Sequence, residues 1–299
     1  MPLHWIESDH ITIPNASTRG RPIIDASLSH SAHFLAVGYG KQIEVWDLRK
    51  TVSKSPLSVF GAKSSLLTSF SWAPGIPRLA AGYEDGVVYV ASLNEKSAAV
   101  EGFNLQAPSL VISTVFLHKD LLAVATTQAV ELRSFQYEDG ERSWILAGFL
   151  PNPPAIVDGP NQNIRITSIH VLAEDRVLVH YGAGPAVIWV ITLRPFACRF
   201  ESVSRLPGRI DDFCKENNLL LLTDTESGTY QVFQLGSQIP HCQFYPQTLS
   251  SPRSSQPVSR AKWLSKDVVV GGGVGQLVLW GIHDVENRLQ NLTYRNQGE

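Results

Sequence analysis

A pattern of two strands joined by a tight turn recurs six times along the 299 residues, and this repetition restricts the fold more than any other feature. Each copy has an apolar strand, a polar or glycine turn, and a second strand with apolar residues at alternate positions. The copies begin at Phe34, Arg78, Leu121, Arg176, Leu219 and Asp267. Aligning the second strands gives a wholly apolar column of Val45, Val90, Leu132, Val190, Val232 and Leu279.

Another strand precedes each copy, and its columns agree as well. It starts at Ile23, Leu67, Ile112, Ile166, Ile210 and Val258, with separations of 44, 45, 54, 44 and 48 residues. Two places later lies a polar column of Asp25, Ser69, Thr114, Ser168, Asp212 and Arg260. One buried face and one polar position are typical of an innermost strand that lines a channel.

Fourth strands complete the repeat. They are predicted at Leu57–Phe60, Ala98–Phe103, Trp144–Phe149, Ala197–Val203 and Cys242–Tyr245. Four strands in a period near 44 residues are typical of a propeller blade, so the chain is predicted to be all-β.

These residues resemble the WD40 family. The similarity is greatest where Leu67–Pro74 runs into Leu79–Gly86, and at Ile43–Asp47. The family's tryptophan position holds Trp46, Ala91, Arg133, Ile191, Phe233 and Trp280, and only Asp47 follows as an aspartate. The resemblance implies a WD40-like β-propeller that assembles protein complexes and acts as a monomeric propeller within one.

The repeats predict one domain over residues 1–299, with six four-stranded blades in residues 22–284. Residues 1–21 form a lead-in whose segment His10–Pro14 is expected to add a strand to the last blade and close the ring. Residues 285–299 form a C-terminal tail that competes for the same place. A seven-bladed propeller truncated at its C-terminus is the alternative.

Charge and apolar content exclude several classes of protein. Lys and Arg number 25 against 27 Asp and Glu, and this balance does not favour binding to nucleic acid or to an anionic membrane. The longest apolar stretch, Ala186–Ile191, is too short to span a bilayer. The N-terminus lacks a signal-peptide pattern, so a cytoplasmic or nuclear location is expected. Cys198, Cys214 and Cys242 are expected to be reduced thiols.

Catalytic motifs do not emerge from the sequence, and we predict neither an enzyme nor a cofactor or metal site. Gly271–Gly275 resembles a phosphate loop, but a strand follows it where such a loop needs a helix. The polar column has two carboxylates opposed by Arg260, which is a poor ligand set for a divalent cation. A six-bladed hydrolase with a site in the central channel is the alternative.

Two long links between repeats indicate a binding surface. The links cover residues 151–163 and 248–256, and both lie on the same rim of the predicted ring. We predict that a protein partner contacts this rim. The residues predicted to bind it are Arg165, Arg209, Arg253, Arg260, Asp158 and Asn161.

Overall fold

The computed structural model describes most of the repeat region. The described residues are 23–49, 55–62, 64–94, 97–106, 109–138, 141–151, 165–182, 185–193, 195–206, 208–224, 229–237, 239–244, 260–265, 267–273, 276–281 and 291–294. All regular elements within these ranges are strands. They divide between two compact units, Met1–Val111 and Ile112–Glu299.

The first unit contains two four-stranded sheets. In each, the strands lie side by side in chain order. Sheet one consists of β1 (Ile23–Leu28), β2 (Phe34–Tyr39), β3 (Gln42–Asp47) and β4 (Ser58–Gly61). Sheet two consists of β5 (Leu67–Trp72), β6 (Arg78–Tyr83), β7 (Val87–Leu93) and β8 (Ala98–Asn104).

Four further sheets of the same order belong to the second unit, although β9 begins at the last residue of the first. Sheet three consists of β9 (Val111–His118), β10 (Leu121–Thr126), β11 (Val130–Glu138) and β12 (Glu141–Phe149). Sheet four consists of β13 (Ile166–Ala173), β14 (Arg176–Tyr181), β15 (Pro185–Leu193) and β16 (Phe196–Arg205). Sheet five consists of β17 (Arg209–Cys214), β18 (Leu219–Thr223), β19 (Tyr230–Gln234) and β20 (Pro240–Phe244). Sheet six consists of β21 (Arg260–Ser265), β22 (Val268–Gly273), β23 (Gln276–Gly281) and β24 (Asn291–Tyr294).

Alternating apolar residues place the core between successive sheets. In the first unit, Ile43 and Val45 of sheet one join Leu79 and Tyr83 of sheet two in one buried cluster. In the second unit, a larger cluster joins sheets three and four. Burying both faces explains why the second strand of each sheet is almost wholly apolar.

Each sheet has two ends, and both matter for function. We call one the link end, because the first strand begins there, and the turn between the second and third strands lies there too. In sheet one this turn contains Gly40, whose φ of 55° suits glycine in a tight hairpin. We call the other the turn end, since the first strand there turns into the second.

The predicted alignment of sheet four is wrong by two residues. Leu178 of β14 pairs with Ile188, in the way that Ala36 pairs with Val45 in sheet one. Ile188 therefore takes the column position predicted for Val190. The family's tryptophan position, predicted to hold Ile191, holds Trp189 instead, which pairs with Val177 as Trp46 pairs with Leu35. A shift of two keeps every side chain on its face, so periodicity did not reveal the error.

The last sheet takes its fourth strand from the C-terminal segment. Leu279 of β23 pairs with Leu292 of β24, so the tail occupies the place for which His10–Pro14 was preferred. Residues 1–22, including that predicted closing strand, lie outside the described residues. In the part of the chain that is described, we find no helix of the length and apolarity needed to cross a membrane.

Candidate functional site

A β-bulge lies immediately before the polar column in four sheets. The pairing of the first and second strands shifts between Ile23 and Asp25, Leu67 and Ser69, Ile166 and Ser168, and Ile210 and Asp212. A bulge redirects the side chains beside it. The bulge leaves one residue of the first strand without a pairing partner. In sheet two this residue is Thr68, whose Oγ1 donates a hydrogen bond to the carbonyl of Gly82 on the second strand at 2.9 Å.

Asp212, one of the two acidic residues in the polar column, has a structural role. Its Oδ2 accepts the backbone N–H of Trp263 in sheet six at 2.8 Å, and its Oδ1 accepts that of Phe213 at 2.9 Å. Burial raises the pKa of Asp212, while these two hydrogen bonds act in the opposite direction. The carboxylate thus joins neighbouring sheets. Nowhere in the described ranges do three or more His, Cys, Asp or Glu side chains group around a metal position.

Sheet four places two hydroxyl groups beside two histidines, an arrangement that bears on the hydrolase alternative. His170 Nε2 lies 3.1 Å from Ser168 Oγ, and His180 Nδ1 lies 2.9 Å from Thr167 Oγ1. Burial, with a smaller contribution from His180, lowers the pKa of His170 to about 4. Burial alone lowers the pKa of His180 to about 4. Such histidines are weak bases near neutral pH, so this pair is poorly suited to activating the serine.

Arg209 forms an ion pair at the link end of sheet five. Its Nε donates to Asp211 Oδ1 at 2.8 Å, and one Nη lies 2.7 Å from the same oxygen. The hydroxyl of Thr223 donates to the other oxygen of Asp211. The Arg209 side chain is 46% exposed and that of Asp211 only 5%. The predicted binding residue therefore presents a guanidinium that a buried carboxylate orients.

The other predicted binding residues are placed as follows. Arg165 is exposed at the link end of sheet four, where its carbonyl accepts the N–H of Gly182 at 2.7 Å. Arg260 begins β21, and its side chain is outside the described residues. Arg253, Asp158 and Asn161 also lie outside them. The structure thus locates two of the six side chains, each at the link end of its own sheet.

Sequence reasoning missed a cavity at the turn ends of sheets one and two. It has a volume of about 260 Å³, and residues from four separate segments line it. These are His30, Ser31, His33, Phe34, Arg49, Gly75, Ile76, Pro77, Leu93 and Asn94. The only sequence signals are two histidines in one turn and an arginine two places after Asp47.

Arg49 is fixed at the edge of this cavity. Its Nε and Nη2 donate to the two carboxylate oxygens of Asp47, each at 2.9 Å. The guanidinium carbon lies 5.2 Å from the ring centre of Phe34, and that ring stacks on Trp72 at 6.4 Å. A bidentate ion pair and an aromatic face together hold a guanidinium in one orientation.

Comparison with known proteins identifies the fold. No protein-family model matches the chain, and no curated protein sequence matches it. Among solved structures, the chain is similar to the β-propeller domain of Cps50 (Swd1) from Myceliophteria thermophila, with a TM-score of 0.62 and 16% identity, covering 93% of this chain and 90% of that one. It is also similar to U3-55K, with a TM-score of 0.61 and 13% identity, covering 91% of this chain and 81% of that one.

These neighbours are WD40 β-propeller proteins, and the prediction of an all-β propeller is confirmed. At 13–16% identity the similarity concerns the fold alone. What this propeller does must be inferred from its own side chains.

Proposed function

We propose that this propeller is a non-catalytic scaffold that binds other proteins. One observation carries the proposal: Arg209 is held by a buried carboxylate while 46% of its side chain stays exposed. An arginine fixed in this way loses little conformational entropy when a partner binds, and arginine is enriched among interface residues that dominate affinity.

The proposed partner-binding surface is the rim formed by the link ends of sheets four, five and six. Arg165 and Arg209 support this surface because both are exposed at such link ends. Arg253, Arg260, Asp158 and Asn161 belong to the same surface by their positions in the sequence. We expect the partner to be a protein with acidic or aromatic groups at the contact, encountered in the cytoplasm or nucleus.

Charge reversal tests this surface. Wild-type protein and the variants Arg165→Glu and Arg253→Glu are compared by quantitative affinity purification at matched concentrations, followed by titration of the recovered partner. We expect the two variants to weaken binding by about tenfold or more, and Arg199→Glu, an exposed arginine on β16, to leave it unchanged. Equal binding by all four folded proteins would place the interface elsewhere, and failure of the wild type to recover any saturable partner would overturn the scaffold proposal.

We further propose that the six sheets act as six propeller blades, in place of the seven of the alternative. Support comes from the six sheets of identical strand order within the described residues. Removal of residues 285–299 is expected to lower the free energy of unfolding by about 2 kcal/mol or more, because it leaves the backbone edge of β23 unpaired. Removal of residues 1–14 is the matched comparison, and a larger loss from that truncation would restore the N-terminal strand as the closing element.

A further inference from the structure

The cavity at the turn ends of sheets one and two is a second candidate for binding. His30, Ser31 and His33 come from the turn between β1 and β2, and Arg49 follows β3. Gly75, Ile76 and Pro77 come from the turn between β5 and β6, and Leu93 and Asn94 end β7. The partner surface proposed above lies at link ends, so this cavity is a separate site.

The histidine-bearing wall of the cavity is fixed by hydrogen bonds. Ser29 is buried, its Oγ accepts the N–H of Phe34 at 3.1 Å, and its N–H donates to the carbonyl of Phe34 at 2.8 Å. The N–H of Leu48 donates to the carbonyl of His33 at 2.8 Å, which fastens the turn to the chain beside Arg49. Because His30 and His33 are exposed on this fixed turn, they present ring nitrogens without large rearrangement.

The opposite wall is equally well defined. Gly75 has a φ of +74°, a conformation that glycine adopts without strain. The N–H of Leu93 donates to the carbonyl of Pro77 at 2.9 Å, so the turn before β6 is tied to the end of β7. Asn94 Oδ1 accepts the N–H of Ser97 at 2.8 Å, which helps to hold this side chain in place.

The lining has hydrogen-bond donors on one side and apolar groups on the other. Arg49 supplies an exposed guanidinium that is paired from below with the buried carboxylate of Asp47, the imidazoles and the hydroxyl of Ser31 supply further donors, and none of the ten lining residues is acidic. Phe34, Ile76, Pro77 and Leu93 supply apolar surface, and Phe34 and Leu93 belong to the buried core of the unit. A ligand that matches this lining has an anionic group next to an apolar one.

The size of the cavity limits the ligand further. Sites for cofactors and drug-sized molecules have volumes of roughly 300–1,000 Å³. A volume of about 260 Å³ is below that range and suits one or two amino-acid side chains. Peptide recognition commonly uses such pockets for individual side chains.

We propose that this cavity binds a peptide segment of a partner protein, with an Asp or Glu side chain on Arg49 and the neighbouring Leu, Ile or Phe side chain against Phe34, Ile76 and Pro77. The proposal rests on the scaffold function proposed above and specifies the class of segment that the scaffold recognises at this end. The carboxylate accepts hydrogen bonds from the guanidinium and from the histidine turn. The apolar side chain covers the rest of the cavity.

Peptide selection on the full-length protein tests the proposal. Random octapeptides displayed on phage are selected against immobilised wild type, and one enriched peptide is labelled with fluorescein for anisotropy titrations. We expect the enriched peptides to share an acidic residue next to Leu, Ile or Phe. Affinity is expected to fall about tenfold or more in Arg49→Gln and about threefold in the double variant His30→Ala/His33→Ala.

Controls separate binding from folding. Arg199→Gln removes an exposed arginine in the other unit and is expected to change affinity by less than about twofold. If Arg49→Gln is unfolded by circular dichroism, the double histidine variant decides the question, since both its sites are exposed turn positions. The proposal is overturned if no peptide is enriched, if the enriched peptides lack an acidic residue, or if both folded cavity variants bind as the wild type does.

The two proposals fail in different ways. Recovery of a protein partner that depends on Arg165 and Arg253, with no binding of acidic and apolar peptides, removes this inference and leaves the scaffold in place. Peptide binding that depends on Arg49, with no protein partner recovered by the full chain, overturns the scaffold proposal and leaves a peptide site without its assigned role.

Discussion

Two pairs of arginine and aspartate, each separated by two residues, occur in different surroundings. Asp47 and Arg49 lie at the turn end of sheet one, and Arg209 and Asp211 lie at the link end of sheet five. In both pairs the carboxylate side chain is at most 5% exposed and the arginine is more than a third exposed. The ion pairs themselves are therefore nearly equivalent.

The neighbours of the two pairs differ. Arg49 lies over the ring of Phe34 beside a cavity, whereas the carboxylate of Asp211 also receives the hydroxyl of Thr223 from the adjacent strand. The first pair faces a space that a ligand can fill, and the second closes the pairing of β17 with β18. Nearly equivalent ion pairs thus hold an arginine beside a cavity in sheet one and at an exposed strand end in sheet five.

The largest effect is expected from removing the aromatic ring beneath Arg49. Phe34 is a buried member of the core that joins sheets one and two, so Phe34→Ala should lower the free energy of unfolding by about 3–5 kcal/mol. Phe213→Ala, at a half-buried aromatic position in sheet five, is the matched control and should cost less. Urea unfolding measures the loss of stability in both variants. Equal losses would contradict the role of Phe34 in the core that joins sheets one and two.

Acid is expected to lower the free energy of unfolding of the second unit, which contains both Arg209 and the buried His180. His180 is fully buried with a pKa of about 4, below the ordinary value near 6.5, so the unfolded chain binds its proton first as the pH falls. The stability contributed by neutral His180 is complete above about pH 6.5 and declines towards pH 4, by up to about 3 kcal/mol. Urea unfolding from pH 7 to 5.5 should show a smaller decline in His180→Gln. An identical decline in both proteins would show that His180 does not titrate in this way.

Removing the two carboxylates should have intermediate effects. Asp47→Ala and Asp211→Ala should each lower the free energy of unfolding by about 1–3 kcal/mol, because each leaves donors without their acceptor. The two losses should agree within about 1 kcal/mol, since Asp47 also accepts the backbone N–H of Arg49 at 3.1 Å and Asp211 also accepts the hydroxyl of Thr223. Thermal unfolding of both variants measures the two losses, and a markedly larger loss at either site would contradict this equivalence.

The smallest effects are expected from the arginines. Arg49→Gln and Arg209→Gln should each change the free energy of unfolding by less than about 1 kcal/mol, because both guanidinium groups are well exposed. Double-mutant cycles with the paired aspartates measure each interaction separately. A coupling energy well above about 1 kcal/mol would show that the arginine mainly stabilises the fold, and this would weaken the proposal that it binds a partner.

Strand periodicity predicted the sheets well and their exact register less well. The fourth strand of sheet one was predicted at Leu57–Phe60 and is found at Ser58–Gly61. In sheet four the correct register gives Trp189 the family's tryptophan position, which the sequence alignment had assigned to Ile191. The alternation of apolar residues has a period of two, so it cannot distinguish two alignments that differ by two residues. The hydrogen bonds between the strands do distinguish them.

The cavity was beyond sequence reasoning for a different reason. Its histidine turn and Ile76 are more than forty residues apart in the chain, and they meet because two turn ends lie side by side. Arg209 illustrates the opposite case. A pairing with Asp211 was foreseeable from their separation of two residues on one strand, because alternate residues share a face.

The hydrogen bond between Asp212 and the backbone amide of Trp263 also affects how the molecule opens. This bond joins the first strand of sheet six to the first strand of sheet five. The hydrogen bond protects this amide hydrogen from exchange with solvent while β21 stays beside β17, so separation of the two strands should raise its exchange rate. Separation would also leave the Asp212 carboxylate without one of its two donors, which favours reclosure. This one hydrogen bond therefore couples the separation of β21 from β17 to the hydrogen bonding of a buried carboxylate.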